Sequence, residues 1–353
     1  MKTSSVRKRV ILHIGMHKTG TTAIQKALEG QTVDGVGYAK LGYANHSVPL
    51  MTIFQDAPYY YWQRVGIAGP EIVSRKRVFT ATLEAELDRS DIDTLLLSGE
   101  DIGWLSIPEK STLITFFEER GHSLDVLCLT RKPVEFAASA LQQRIQGGLR
   151  NLTEIHPRYA DRLKFFLDAL GQERLTVVDY ASVCEDYGDV VRGFCSIAGL
   201  PFLAPEAVQQ NRALSSEATR VIFRLNQLTQ NFSPLYFQLI ERLVPTLTEC
   251  FPALEEDYRL RLVPAAKLLP ASLVEELDFL EREFGIRYSV EQPQPSIEAV
   301  ESFLRIPSSF ALDSFRHHLA RSLDIDLSRH DTLDDVLLAL LDLFNEGSSD
   351  SAP

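Results

Sequence analysis

The chain has 353 residues, of which 45% are hydrophobic and 24% are charged, a composition typical of soluble globular proteins. Its 48 acidic residues outnumber its 36 lysines and arginines, and the formal net charge is −12. This balance excludes a general nucleic-acid binder but leaves room for a small, locally basic anion pocket. The four cysteines have no metal-ligand spacing, and no apolar run suits a transmembrane helix or a signal peptide. We therefore expect reduced thiols and a cytoplasmic location.

Short apolar runs alternate with helical patterns over the first two-thirds of the chain. Strands are predicted at residues 10–14, 94–98, 124–130 and 176–179, because these runs are β-branched or apolar. Helices are predicted at residues 21–28, 133–146 and 190–197. Apolar strands between helices predict a P-loop-type α/β fold, in which helices flank a parallel sheet of about four to five strands. Ligands of such sheets bind at the carboxyl ends of the strands.

The last third of the sequence has a different character. Apolar residues recur at helical spacing in residues 218–228, 235–247, 273–284 and 333–344, which predicts a mainly helical C-terminal extension. The last 62 residues contain 11 acidic and 4 basic residues. The predicted organisation is a site-bearing α/β domain over 1–230, a helical extension of its core over 231–291, an acidic helical segment over 292–346 and a disordered tail over 347–353.

The most informative segment is the predicted loop after the first strand, HIGMHKTGTT at residues 13–22. Gly15 and Gly20 are five residues apart, as in phosphate-binding loops, and glycines let the backbone approach an anion closely. The helix that follows offers unpaired N–H groups and a positive dipole end. ATP-binding loops, however, have a lysine directly after the last glycine, whereas here Thr21 follows Gly20 and the lysine is Lys18. The usual γ-phosphate arrangement is therefore not expected.

The HKTGTT stretch resembles the 5′-phosphosulfate loop of the sulfotransferase family, which uses 3′-phosphoadenosine 5′-phosphosulfate (PAPS). The resemblance covers roughly residues 8–230 and implies that Lys18 interacts with the oxygen that bridges the sulfuryl group and the 5′-phosphate. It also implies that the backbone of Thr19, Gly20, Thr21 and Thr22 holds this phosphate, that His17 helps to orient the donor, and that no metal is required.

A second motif, RKPVEFAAS at residues 131–139, follows the third predicted strand. It resembles the family's 3′-phosphate site, an arginine at a strand end with a serine eight residues later. Arg131 would offer a forked donor to a phosphate, and Ser139 a hydroxyl on the next helix. The resemblance thus assigns both residues to binding of the PAPS 3′-phosphate.

Transfer to a hydroxyl needs a general base. Glu100, at the end of the strand LLLSGE, is our first choice, because several carbohydrate sulfotransferases use a glutamate at a similar strand end. Asp101 and His46 are the rivals. The implied roles make Glu100 and Lys18 the catalytic residues.

The acceptor is poorly specified by the sequence. The aromatic cluster PYYYW at residues 58–62 suits either a stacking platform or ordinary core, and Asn211 and Arg212 are placed near the cofactor only by their position in the chain. We expect a carbohydrate, lipid or small metabolite with a hydroxyl group, no nucleic acid and no membrane span, with a homodimer left open. The competing hypotheses are a P-loop kinase or NTPase and a non-catalytic nucleotide-binding protein.

Overall fold

A computed structural model describes residues 7–201, 214–230, 232–253, 262–289, 293–307 and 310–346. The chain divides into two compact units. The first contains Met1–Lys132, Arg158–Gln210 and Val274–Ser289, and the second contains Pro133–Pro157, Asn211–Leu273 and Val290–Pro353. The predicted tail over 347–353 and the pair Asn211 and Arg212 lie outside the described residues. The domain boundaries proposed from the sequence stay predictions.

The first unit is built on one six-stranded sheet, whose order is β2-β3-β4-β1-β5-β6. Its strands are β1 (Arg9–His13), β2 (Thr32–Val33), β3 (Val36–Tyr38), β4 (Thr94–Ser98), β5 (Ser123–Thr130) and β6 (Leu175–Asp179). All neighbours pair in parallel except β2 and β3, which are antiparallel. The predicted α/β class is therefore confirmed, and the four predicted strands correspond to β1, β4, β5 and β6 within one residue at each end.

The sheet has more strands than the predicted four to five, because β2 and β3 form a short hairpin. Asp34 and Gly35 connect these strands with φ values of 45° and 78°. Two successive positive φ values are typical of a type I′ turn, for which Asp-Gly is a favoured pair. The hairpin signal was therefore present, but strands of two and three residues are too short for apolar periodicity to reveal.

Helices connect the strands and form the second unit. In chain order they are α1 (Thr21–Leu28), α2 (Ser47–Phe54), α3 (Tyr60–Arg64), α4 (Pro70–Asp88), the 3₁₀ helix η1 (Glu100–Trp104), α5 (Ile107–Glu118), α6 (Pro133–Gln146), α7 (Tyr159–Leu170), α8 (Tyr180–Tyr187), α9 (Val190–Ala198), α10 (Ser216–Leu228), α11 (Pro234–Cys250), α12 (Leu273–Phe284), α13 (Ile297–Leu304), α14 (Leu312–Leu323) and α15 (Leu333–Glu346). The predicted bounds of α1 and α6 are confirmed. No helix in the described ranges is both long and apolar enough to cross a membrane.

The sheet is buried on both faces. Ile11 and Leu96 pack on one face against α1 and α9, where Ile24 and Phe194 are fully buried. Residues that alternate with them, such as Leu12, are also fully buried. Because successive side chains of a strand point to opposite faces, helices must cover the second face as well, and α5 and α7 both contact β5.

The strand order places the topological switch point of the sheet at β1. From β1 the chain passes to β2, β3 and β4 on one side of this strand and then crosses to β5 and β6 on the other side. In open α/β sheets, ligands bind in the crevice at such a switch point, outside the carboxyl ends of the strands. The loop after β1 lies at this position.

The second unit is helical in its described part. Helix α10 contacts α6, α11, α13 and α15, and α11 also contacts α14 and α15. Two polar links stabilise this packing: Arg224 forms an ion pair with Asp334, and Arg220 Nε donates to the Phe303 carbonyl at 2.7 Å. The acidic C-terminal helices are thus integrated with the helices that precede them.

Candidate active site

The loop between β1 and α1 has an unusual backbone. Lys18 (φ 68°) and Gly20 (φ 76°) both adopt the left-handed conformation, which costs a residue with a side chain about 1–2 kcal/mol. Thr19, between them, is fully buried, and its hydroxyl donates to the Met16 carbonyl at 2.6 Å. Left-handed residues within a short turn are typical of the backbone nests that bind anions, so the strain at Lys18 indicates a functional loop.

The loop leads directly into the N-terminus of α1. Gly20 precedes the helix, and a Cβ there would lie 2.7 Å from Val190 Cγ1, so any larger residue would displace the loop. The first turn of α1 has no acidic residue, and no side chain in the described ranges caps it. The first N–H groups of an α-helix have no acceptor within the helix. Because no described side chain caps them here, these groups favour a bound anion. This cradle suits a phosphate or phosphosulfate group, so the residues present fit the ligand that the motif implies.

Arg131 connects the loop to the end of β5. Its Nη1 donates to the Lys18 carbonyl at 2.6 Å, and its guanidinium lies 5.5 Å from the ring centre of Tyr180. The Tyr159 hydroxyl donates to the Arg131 carbonyl at 2.6 Å. Two motifs that are more than 100 residues apart in the sequence thus meet at one edge of the sheet, because the parallel neighbours β1 and β5 both end there.

Lys18 supplies the positive charge of the loop. Its side chain is solvent-accessible. Partial desolvation lowers the pKa of Lys18, with a further decrease from Arg131, whereas the negative charge of Glu100 opposes both effects. The ammonium group of Lys18 and the carboxylate of Glu100 therefore interact electrostatically across the site.

Glu100 begins η1, directly after Gly99 at the end of β4, and its side chain is half-buried. Burial raises the pKa of Glu100, and Asp101 adds to the increase, whereas His17, Lys18 and the Thr21 hydroxyl lower it. A carboxylate with a raised pKa, beside a lysine, is suited to accept a proton near neutral pH.

Asp101 is held from three sides. Its Oδ1 lies 3.1 Å from His17 Nε2, its Oδ2 accepts a hydrogen bond from the Tyr59 hydroxyl, and its backbone N–H donates to Ser47 Oγ at 3.1 Å. Burial acts to raise the pKa of Asp101, but the bonds from His17 and Tyr59 and the charge of Arg162 outweigh it, so the pKa is lowered. Because both carboxylate oxygens are engaged, the geometry favours Glu100 over Asp101 as the base.

His46 is fully buried, and both of its ring nitrogens are occupied. The Ser98 N–H donates to His46 Nδ1 at 3.0 Å, so Nε2 carries the ring proton and donates to the Ala39 carbonyl at 2.9 Å. Burial lowers the pKa of His46 to about 4, which keeps the ring neutral. These contacts give His46 a structural role beneath the sheet edge and argue against it as a base.

The interior behind η1 contains a cation that the sequence patterns did not single out. Arg162, on α7, is 1% exposed, and none of its guanidinium nitrogens has a hydrogen-bond partner among the described residues. The guanidinium lies 3.9 Å from the ring centre of Trp104, at the other end of η1. Burial lowers the pKa of Arg162 to about 10, opposed in part by Cys128, Asp101 and Glu100, and the group stays charged at neutral pH.

A signal for Arg162 was present in the sequence. Tyr159, Leu163, Phe166 and Leu170 form the buried stripe of α7 at helical spacing, and Arg162 falls on the same stripe. A charged residue on an apolar helix face is unusual enough to single out. Tyr180 could similarly have been found from its place directly after β6.

The other residues that the sequence singled out differ in how deeply they are buried. Tyr59 and Trp62 are buried and Tyr60 is 52% exposed, so the aromatic cluster is mainly core with one exposed ring. Ser139 is half-buried on α6, in the second unit, and its assignment to the 3′-phosphate stays a prediction. In the described part of the chain, no three His, Cys, Asp or Glu side chains are placed to hold a metal ion.

Comparisons with known proteins give distant structural matches. No protein-family model and no curated protein matches the chain. A sulfotransferase structure from Alicyclobacillus acidocaldarius matches with a TM-score of 0.38 and 15% identity, over 72% of this chain and 100% of that one. A structure from the PezAT toxin-antitoxin system of Streptococcus pneumoniae matches with a TM-score of 0.23 and 18% identity, over 41% of this chain and 55% of that one. The residues of the chain itself therefore carry the functional conclusion.

Proposed function

We propose that this protein is a PAPS-dependent sulfotransferase that transfers a sulfuryl group to an acceptor hydroxyl. The observation that carries the proposal is the convergence of Lys18, Glu100 and Arg131 at the carboxyl edge of β1, β4 and β5. Arg131 contacts the Lys18 carbonyl, and the charges of Lys18 and Glu100 interact. This set combines an anion cradle, a cation at the leaving oxygen and a proton acceptor, which are the needs of in-line transfer to a hydroxyl.

Each residue has a distinct role in the proposed reaction. Lys18 and the N-terminus of α1 stabilise the charge that develops on the 5′-phosphate as its bond to sulfur breaks. Glu100 takes the proton from the acceptor hydroxyl as the acceptor oxygen bonds to sulfur. Arg131 recognises the 3′-phosphate.

The position of Lys18 favours a sulfotransferase over a kinase or NTPase. In ATP-binding loops the lysine follows the last glycine and a Ser or Thr holds magnesium, whereas Lys18 lies two residues before Gly20. Asp101 has both oxygens engaged by His17 and Tyr59, which leaves it poorly suited to hold a metal-bound water. A titration with ATP and magnesium therefore distinguishes a sulfotransferase from a kinase or NTPase.

Calorimetric titration of the protein with 3′,5′-ADP, the desulfated product, and separately with ATP and magnesium tests the proposed co-substrate. We expect binding of 3′,5′-ADP only. Binding of ATP with magnesium only would overturn the proposal in favour of a kinase or NTPase.

Replacement of Glu100 by glutamine tests the proposed base. We expect Glu100→Gln to bind 3′,5′-ADP as the unmodified protein does and to lose about 10²–10⁴-fold in turnover of PAPS, the usual contribution of a general base. Glu119→Gln is the matched control, because Glu119 is exposed at the end of α5. If Glu100→Gln turned over PAPS at the full rate, the assignment of the base would be wrong. Binding of 3′,5′-ADP by the unmodified protein without turnover of PAPS would instead favour a non-catalytic nucleotide-binding protein.

A further inference from the structure

An exposed tryptophan lies at the opposite end of the short helix that begins with the proposed base. Helix η1 runs from Glu100 to Trp104, and Trp104 is 40% exposed. A 3₁₀ helix rises about 2 Å per residue, so the backbones of these two residues are roughly 8 Å apart, a distance that an acceptor with one or two rings can span. Aromatic side chains supply large contact areas in binding sites. Trp104 is therefore placed to contact the part of an acceptor that does not react.

Arg162 holds the Trp104 ring from the interior. The guanidinium of Arg162 is buried and lies 3.9 Å from the ring centre, a distance at which a cation and an aromatic face attract each other. Gly103 leaves room for this contact, because a Cβ at that position would lie only 3.2 Å from Arg162 Nη1. The ring of Trp104 is thus supported from behind, and a preorganised surface loses little entropy when it binds a ligand.

A second guanidinium lies beside the same ring, and this one is exposed. The guanidinium of Arg158 is 5.7 Å from the ring centre of Trp104 and forms no hydrogen bond or ion pair in the described part of the chain. Arg158 has a left-handed φ of 54°, a strained conformation for a residue with a side chain and one that is common at functional sites. The next residue, Tyr159, donates to the Arg131 carbonyl at 2.6 Å. Arg158 and Trp104 therefore lie next to the edge of the sheet that carries the proposed PAPS site.

Two positive charges at one aromatic ring favour a negatively charged ligand. The chain as a whole has a net charge of −12, so this pair of cations is a local exception on an acidic protein. Arginine offers a forked pair of N–H donors that matches a carboxylate. A cationic ligand would be repelled by Arg158 and Arg162, and a neutral one would gain nothing from the exposed guanidinium of Arg158.

We propose that Trp104 and Arg158 bind the acceptor and select one whose ring carries a carboxylate. The ring of the acceptor stacks on Trp104, its carboxylate pairs with Arg158, and its hydroxyl points toward Glu100. This inference rests on the proposed sulfuryl transfer and adds the chemical class of the acceptor, an anionic hydroxyl compound. The same chemistry occurs in aromatic hydroxy acids and in uronic acids, and the binding test below distinguishes these two sources.

Quenching of tryptophan fluorescence tests the charge at Trp104 and needs neither PAPS nor an acceptor. The chain has two tryptophans, and Trp62 is 1% exposed, so the difference between the unmodified protein and Trp104→Phe isolates the emission of Trp104. Relative to free N-acetyltryptophanamide, we expect iodide to quench Trp104 about twofold or more better than caesium, because anions concentrate near cations.

Arg158→Gln should abolish this preference and leave quenching by neutral acrylamide unchanged. Lys164→Gln is the matched control, because Lys164 is an exposed cation on the same helix and pairs with Asp168. Equal relative quenching of Trp104 by iodide and caesium in the unmodified protein would overturn the proposal.

Calorimetric titration with two pairs of acceptors, with and without 3′,5′-ADP, tests the selection itself. The first pair is 4-hydroxyphenylacetate and its methyl ester, and the second is methyl β-D-glucuronide and its methyl ester. The hydroxyl groups are the same within each pair, and only the charge differs. We expect one of the acids to bind about tenfold or more tightly than its ester, and this pair identifies the acceptor as aromatic or saccharide.

The variants assign the effect to the two residues. Arg158→Gln should bind the acid and the ester equally, Trp104→Ala should weaken binding of both, and neither variant should change the affinity for 3′,5′-ADP by more than about twofold, because neither residue is assigned to the cradle. If 3′,5′-ADP does not bind the unmodified protein, the proposed function fails and the acceptor role fails with it. If 3′,5′-ADP binds but neither acid binds more tightly than its ester, the acceptor inference alone is wrong.

Discussion

Arg162 places a guanidinium in the interior of the first unit, where it donates no hydrogen bond to any described residue. Such a group loses its hydration, and a desolvated charge without hydrogen bonds opposes folding. Two features compensate: the ring of Trp104 at 3.9 Å, a distance at which a cation and an aromatic face attract, and the negative charges of Asp101 and Glu100. At the scale of single residues, the desolvation cost of Arg162 is thus offset in part by its neighbours on η1.

We expect Arg162→Met to keep the free energy of unfolding or to raise it by about 1–4 kcal/mol, as found when buried ionic groups are replaced by apolar ones of similar volume. The same change removes a positive charge that lowers the pKa of Asp101, and it should reduce kcat about tenfold. Urea unfolding and PAPS turnover measure the two effects, and Arg162→Lys serves as the charge-retaining control. Loss of several kcal/mol with full activity would show that the guanidinium serves only the fold.

Arg131 is the residue whose replacement tests ligand specificity. A hydrogen bond to a charged group contributes about 1.5–3 kcal/mol, so Arg131→Met should weaken binding of 3′,5′-ADP by roughly 10- to 100-fold. Binding of 5′-AMP, which lacks the 3′-phosphate, should change much less. Calorimetry with both nucleotides measures the difference. An equal loss for both would indicate that Arg131 acts only by holding the Lys18 carbonyl.

At the scale of elements, α1 has a left-handed glycine close to each of its ends: Gly20 directly precedes the helix and Gly30 follows its C-cap residue. The two glycines differ in their surroundings. Gly20 (φ 76°) has Val190 in the space that a Cβ would occupy, whereas Gly30 (φ 74°) has no atom within 4 Å of that position. The pair therefore separates the cost of the backbone conformation from the cost of a steric clash. Only Gly20 is part of the loop to which we assign phosphate binding.

We expect Gly30→Ala to lower the free energy of unfolding by about 1–2 kcal/mol, the cost of the left-handed conformation. Gly20→Ala should lose about 1–3 kcal/mol more, because the clash with Val190 adds an overpacking cost, and it should also weaken 3′,5′-ADP binding. Denaturant unfolding and calorimetry of both variants provide the comparison. Equal losses in stability and unchanged binding would contradict the role of Gly20 at the anion cradle.

At the scale of the whole molecule, each compact unit is assembled from separate stretches of the chain. In the second unit, the C-terminal helices contribute fully buried apolar side chains, among them Val300, Phe315 and Leu337. These helices contact α10 and α11, which come from before residue 251. The acidic C-terminal helices therefore contribute to the same core as α10 and α11.

A chain ending at residue 291 should consequently aggregate or unfold at a lower temperature, because it exposes the apolar faces of α10 and α11. Leu337→Ala and Leu338→Ala in the full chain are a matched pair for this test, since Leu337 is fully buried and Leu338 is 43% exposed. We expect a loss of about 2–5 kcal/mol for the first and within about 0.5 kcal/mol for the second. A soluble, monomeric and equally stable truncated chain would show that the C-terminal helices are dispensable.

The sequence by itself determined the features that depend on local pattern. Buried parallel strands are continuous apolar runs, so β1, β4, β5 and β6 and the α/β class could be predicted, and α1 and α6 follow from their periodicity and start signals. The loop at residues 13–22 was found because its glycines, lysine and threonines are neighbours in the chain. The rule that ligands bind at the carboxyl ends of parallel strands singled out the segments that contain Lys18 and Arg131, and the structure places these two residues in contact.

Only the tertiary structure decided which side chains share one environment. His46 is a rival of Glu100 in the sequence, but burial and two hydrogen bonds make His46 a neutral structural group. The contact of Asp101 with His17 and Tyr59 joins three elements, and the burial of Arg162 depends on how α7 meets η1. Such relations arise from long-range packing, because hydrogen bonding and desolvation depend on neighbours that are distant in the chain.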